Sequence, residues 1–165
     1  VAVINLGANI TNIIIIDKGT PQLFRDLALG SSLFLENISK DLGLGSDDAE
    51  KLIKGIPVEN IQEDQFRFIL DMNIQNIIEE VEKTFSFFEA GEREGKKVEQ
   101  IYVCGGLSKL KDLSKIFEEK TGIKTEIFNP FRKIIASEKL DSMYFDEMAA
   151  HFGVATGLAM REMEK

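Results

Sequence analysis

The sequence predicts an α/β domain: a five-stranded mixed sheet with helices on both faces and a small helical insertion. Three observations carry that expectation. Short β-branched runs, separated by Gly, Asn and Asp, crowd into the first 29 residues. Residues 64–90 then repeat apolar side chains at helical spacing without interruption. Beyond them, strand-like and helix-like segments alternate to the end of the chain.

Residues 1–6 are a compact apolar run ending at Gly7. The pair Ala8-Asn9 leads to Thr11 and to Ile13-Ile14-Ile15-Ile16. Asp17-Lys18-Gly19 supplies a tight reversal, because glycine tolerates the positive φ of hairpin turns. Residues 23–29 alternate, with Leu23, Leu27 and Leu29 on one face and Arg25 between them. These segments read as three antiparallel strands. The four isoleucines lack polar alternation, so the second strand is expected to be covered on both faces.

Ser31 and Ser32 are candidate N-caps for a helix carrying Phe34, Leu35, Ile38 and Leu42, stopped by Gly43. Ser46-Asp47-Asp48 opens a second helix with carboxylates at its positive end, and Gly55 and Pro57 close it. The long amphipathic helix over 64–90 follows, then a polar loop over 91–97. Residues 98–104 are a strand ending at Gly105-Gly106. Ser108 is expected to cap a helix through Leu110, Leu113, Ile116 and Phe117, closed by Gly122. Residues 124–128 form a strand broken by Asn129-Pro130, and a last helix is expected over 145–162.

Composition narrows the class. At 165 residues, 44% apolar and 29% charged, the chain is long enough to bury a core and too ordinary for a disordered or collagen-like polymer. The single cysteine, Cys104, excludes an internal disulfide framework. No apolar run approaches the ~20 residues of a membrane span, and no leader pattern is read, so a cytoplasmic setting is the default. With 20 basic against 28 acidic residues, the net charge of −8 argues against nucleic acid and against direct binding to anionic lipid. The one basic run, residues 93–97, reads as a solvated loop. Val1 already lies in a strand pattern and no Met precedes it, so a further segment is expected upstream.

Two glycine turns stand at strand ends. In Asn5-Leu6-Gly7-Ala8-Asn9-Ile10-Thr11 a sharp bend at Gly7 can aim successive amides into one concavity, a natural nest for phosphate oxygens. The Asn9 amide and the Thr11 hydroxyl are candidate further donors. In Cys104-Gly105-Gly106-Leu107-Ser108 two missing Cβ atoms let a flat ring or a phosphate approach the main chain, beside the expected positive end of the Ser108 helix. Taken singly, each is more readily an ordinary hairpin or βα turn. Together, in a strand–strand–strand–helix–insertion–strand-Gly-Gly–helix order, they match one lobe of the actin, Hsp70 and sugar-kinase ATPase architecture.

The resemblance narrows with Asn129-Pro130-Phe131 and with Gly153-Val154-Ala155-Thr156-Gly157-Leu158-Ala159-Met160-Arg161. The ordered set resembles the PilM family, cytoplasmic actin-like proteins of type IV pilus assembly related to FtsA. It spans nearly the whole chain but only the C-terminal lobe of that family, with the N-terminal lobe absent. It implies an actin-like (ribonuclease H-like) lobe with residues 1–45 and 91–165 as subdomain 2A and 46–90 as the helical subdomain 2B. The long helix is shared between them. It further implies that Asn5, Gly7, Ala8, Asn9 and Thr11 form a phosphate loop and that Gly105, Gly106 and Leu107 lie against adenosine. Glu79 and Lys83, one turn apart, resemble a pair holding ribose and base, although an exposed helix face also carries such residues.

The implied cofactors are ATP and, more weakly, Mg²⁺. The implied partners are a PilN-like N-terminal tail and other pilus assembly proteins. That would place the protein on the inner membrane through protein contacts rather than insertion, in service of pilus assembly and twitching motility. The lobe's exposed apolar area also makes a homodimer an expected response. The family usually carries Asp where this chain has Asn5, and a neutral amide there weakens the case for hydrolysis. ATP binding is therefore expected in the intact protein, with hydrolysis weak or absent. Two alternatives compete: an ATPase or small-molecule kinase lobe, and a nucleotide-free scaffold of FtsA type. His151, lacking a second His or a Cys neighbour, reads as packing rather than metal binding. Cys104 reads as a small buried residue.

Overall fold

The computed structural model describes residues 1–91, 95–132, 134, 145 and 148–163. The expected residues 93–94 of the basic run, and most of 133–147 before the last helix, lie outside them. Five strands form one mixed sheet in the order β3-β2-β1-β4-β5. β1 (Ala2–Leu6) pairs antiparallel with β2 (Thr11–Asp17), and β2 antiparallel with β3 (Thr20–Leu27). β4 (Gln100–Gly105) joins β1 in parallel, and β5 (Lys124–Ile127) joins β4 in parallel. The β2–β3 reversal places Lys18 at φ 48° and Gly19 at φ 80°, the left-handed pair such a hairpin demands.

One face of the sheet carries the core. Ala2, Ile4, Leu6, Ile13, Ile15, Leu27, Ile101 and Val103 are buried there against side chains of α1 (Ser31–Leu42), α2 (Ser46–Ile53), α3 (Glu63–Gly91) and α4 (Leu113–Thr121). Phe34, Ile38, Ile74, Ile78, Val81, Leu113 and Phe117 are the helical partners. Burial of each such side chain contributes about 1.5–3 kcal/mol before cavity terms, which makes this face the main source of stability. On the opposite face the segment before α5 (Gly153–Met163) meets the ends of β4 and β5. There a Cβ on Gly153 would lie 3.5 Å from Phe128 and 3.7 Å from the Cys104 sulfur.

Four local expectations change. Ile13 and Ile15 are buried but Ile14 and Ile16 only half so, because helices α1–α4 cover a single face of β2. Arg25 does not sit between faces: residues two apart on a strand share one, so it points inward with Leu23 and Leu27. It donates to Glu80 Oε2 at 2.8 Å and to Thr84 Oγ1 at 3.1 Å. Ser31 and Ser32 are not caps. Gly30 holds the N-cap position of α1 with no side-chain bond, since the Ser31 and Ser32 amides are already taken by the Gly7 and Ala8 carbonyls, each at 2.8 Å.

The fourth concerns Ser108, which does not start an α-helix. Gly106–Lys109 is a 3₁₀ turn, the Ser108 hydroxyl donates back to the Gly105 carbonyl at 2.6 Å, and α4 begins only at Leu113. The three-residue period of a 3₁₀ turn puts Leu107 and Leu110 on the same side, and both are buried in the core.

Candidate nucleotide site

Parallel pairing sets Leu6 opposite Gly105, so the turns that follow β1 and β4 leave the sheet side by side. In the first turn the Gly7 amide donates to the Ile10 carbonyl at 3.1 Å. A Cβ on Gly7 would sit 2.7 Å from that oxygen, which is why the tight closure requires glycine. Ala8 and Asn9 project at the exposed tip, and among the described residues no backbone carbonyl takes their amides. The N-terminus of α1 packs behind them, since a Cβ on Gly30 would overlap the Ala8 carbonyl.

In the second turn the two glycines differ. Gly105 is buried at φ 92°, a conformation closed to other residues. Gly106 is exposed, and a Cβ there would meet the Ser31 hydroxyl at 3.4 Å and the Leu6 carbonyl at 4.0 Å, both ordinary contacts. Gly106 is therefore the open shelf and Gly105 the hinge beneath it. Asn5 ties the turns together. Its Nδ2 donates to Asn12 Oδ1 at 3.0 Å, and its Oδ1 accepts from the Cys104 thiol at 3.7 Å. Burial pushes the Cys104 thiol up to about 11, which suits a packed thiol and not a nucleophile.

Not every expected ligand faces this shelf. Thr11 is fully buried and spends its hydroxyl on the Leu29 carbonyl at 2.6 Å, so it braces the loop instead of adding a donor to it. Leu107 turns into the core. Glu79 accepts from Gln75 at 3.4 Å, and Lys83 donates to Glu80 at 2.7 Å. Both stay on the surface of α3, and no bond joins them to either glycine turn among the described residues. The Lys83 ammonium is held above its usual range by its hydrogen bond to Glu80.

The structure offers a different side wall. A cleft beside the second turn is lined by Lys54, Ile56, Ser108, Lys109, Phe128 and Asn129, with Ala149 and Ala150 at its base. Lys54 lies just beyond α2 and donates to Glu50 at 3.2 Å. The sequence pointed to Glu79 and Lys83 on the longer helix and did not single out Glu50 and Lys54. The signal available was the order Ala49-Glu50-Lys51-Leu52-Ile53-Lys54 shortly before Gly55.

Free amides, an uncovered glycine shelf and a lysine-bearing cleft fit a phosphate with an attached planar group. For Mg²⁺ they offer no charged ligand at position 5. Asn5 is neutral and already engaged on both sides, and the described residues hold no group of three His, Cys, Asp or Glu able to bind a metal ion.

Comparison with known proteins places this arrangement. MreB5 of Spiroplasma citri bound to AMPPNP superposes with a TM-score of 0.63 at 16% identity, covering 99% of this chain and 54% of that one. An apo ParM protein of psk41 superposes at 0.54 with 15% identity, covering 99% and 42%. The class is thus an actin-like lobe. Within that class, the family model for type IV pilus assembly protein PilM matches residues 1–163, and the chain belongs to that family. A solved PilM–PilN type IV pilus biogenesis complex aligns with a TM-score of 0.81 at 24% identity, over 97% of this chain and 45% of that one. This chain therefore spans less than half the length of that relative.

Proposed function

We propose that this chain is the nucleotide-holding lobe of a PilM-type scaffold in pilus assembly, with ATP as its ligand. The observation that carries the reading is the pair of glycine turns held side by side at the ends of β1 and β4, with Ala8, Asn9 and Gly106 exposed between them. The phosphates lie along the Ala8 and Asn9 amides, with the Gly7 amide spent on closing the turn, and the adenosine side along Gly106 toward Ser108, Lys109 and Lys54. Glu79 and Lys83 take no part in this version. Residues 1–45 with 91–165, and 46–90, act as the two subdomains. Loop amides and cleft lysines bind and orient the anion.

In this reading nucleotide sets a conformation and is not turned over, because position 5 offers no carboxylate to activate water. A PilN-like tail is the partner, as in the complex that this chain resembles. The protein then reaches the membrane through that partner; none of the described helices is long and apolar enough to cross one. The rival ATPase or kinase reading asks for an acidic group at the phosphate loop, which Asn5 does not supply.

Calorimetric titration of the full-length protein with ATP, with and without Mg²⁺, tests this. Binding that Gly106→Arg abolishes, with negligible phosphate release, is expected. No binding at millimolar nucleotide removes the reading, and rapid phosphate release favours the kinase alternative.

A further inference from the structure

Asn5, Asn12 and Asp26 occupy adjoining register positions on β1, β2 and β3, and Cys104 is the β4 neighbour of Asn5. They share the sheet face turned away from the core. Their side chains form a chain with one direction: Asn5 Nδ2 donates to Asn12 Oδ1 at 3.0 Å, and Asn12 Nδ2 donates to Asp26 Oδ1 at 2.8 Å. An Asn amide has nearly the same shape either way round, so shape alone does not choose its orientation. A carboxylate does, because it only accepts. Asp26 demands the NH₂ of Asn12, Asn12 then shows its oxygen to Asn5, and Asn5 must turn its own NH₂ to Asn12. The carbonyl oxygen of Asn5 is left facing Cys104 and Gly105, 2.7 Å from where a Cβ on Gly105 would stand.

We infer that Asp26 is a positioning residue for the glycine turns. Acting through Asn12, it fixes the polarity of Asn5 two strands away, so that a neutral acceptor backs the Gly105 hinge. The inference deepens the nucleotide reading and rests on it for its functional consequence. It also explains why position 5 is an amide. With a carboxylate at both ends of the chain, Asn12 can turn its NH₂ to only one of them and must set its oxygen against the other. Moving the single carboxylate from position 26 to position 5 reverses every donor and restores the chain.

The test is a cycle in the full-length protein: Asn5→Asp, Asp26→Asn and the double variant, followed by thermal unfolding. Asn5→Asp is expected to lower the melting temperature, and addition of Asp26→Asn to recover most of the loss. Losses that simply add in the double variant overturn the inference. Asn12→Leu then breaks the chain without touching a glycine turn. It is expected to weaken ATP binding about fivefold, the size of one lost hydrogen bond; unchanged affinity overturns the positioning role. Failure of the nucleotide reading shows separately, as wild-type protein that binds no ATP while the melting-temperature cycle still shows recovery.

Discussion

Gly105 backs onto Leu6 so closely that a Cβ at position 105 would come within 2.5 Å of the Leu6 carbonyl oxygen. Its φ of 92° and ψ of −175° add backbone strain to that overlap for any other residue. Such strain alone costs about 1–3 kcal/mol. Gly105→Ala is therefore expected to lower the unfolding free energy by at least that amount. Gly106→Ala, with no left-handed φ and only van der Waals contacts near its Cβ, should cost far less. Urea denaturation of the two variants side by side checks the division of labour, and equal losses would contradict it.

Cys104 lies under the same turn, 4% exposed, with its thiol pushed by burial up to about 11. Native protein should therefore alkylate slowly with iodoacetamide at pH 8, and denaturant should accelerate labelling to the rate of a free thiol. The raised value also fixes the sign of a pH effect. The thiol's share of stability is full below its ordinary 9.0 and is lost as pH climbs from there toward about 11. Cys104→Ala should flatten the alkaline limb of the stability curve.

How much of this was legible in the sequence divides by the range of the forces involved. Strands, hairpin and long helix follow from local periodicity and turn chemistry, and Lys18-Gly19 and Gly43 behave as their residue types require. The 3₁₀ turn at Ser108 was not legible, because the need to bury both Leu107 and Leu110 is tertiary. Neither was the loss of the Ser31 and Ser32 caps, which depends on carbonyls of Gly7 and Ala8 more than 20 residues upstream. The glycine turns could be placed because glycine marks backbone geometry directly. The bonds of Thr11, Glu79 and Lys83 to Leu29, Gln75 and Glu80 could not, since side-chain type does not say which neighbour a group will meet.

Arg25, pointing inward from an edge strand, ties β3 to α3 through Glu80 and Thr84. The Glu80 carboxyl is held below its usual range, chiefly by its hydrogen bond from Lys83 and further by the charges of Lys83 and Arg25. A depressed carboxyl stabilises the fold above its unfolded value, near 4.5, and that stability is lost as pH falls through the lower folded value. Glu80→Gln should therefore remove part of the acid dependence between neutral pH and the acid limb while leaving the alkaline limb unchanged. Denaturation midpoints at a series of pH values check it. Parallel curves for the two proteins below pH 5 would mean that the contacts of Glu80 with Lys83 and Arg25 contribute nothing to the acid limb.

Lys109 and Lys83 separate the two possible walls of the nucleotide site. Lys109 lines the cleft beside Ser108 and Asn129, next to the exposed Gly106, and Lys54 faces it from the end of α2. Lys83 lies on the surface of α3 with its ammonium on Glu80. An ammonium in contact with a phosphate or ribose makes a charge-assisted bond of about 1.5–3 kcal/mol, so removing it should weaken binding tenfold or more. Lys109→Ala and Lys54→Ala in the full-length protein are therefore expected to raise the Kd for ATP by that factor. Lys83→Ala, at an ammonium held on the Glu80 carboxylate, should leave it within twofold. The reverse ranking would move adenosine to α3 and return the pair Glu79 and Lys83 to the site. Because all three lysines carry the same charge, a general loss of electrostatic attraction would lower all three affinities alike, and only direct contact with nucleotide separates them.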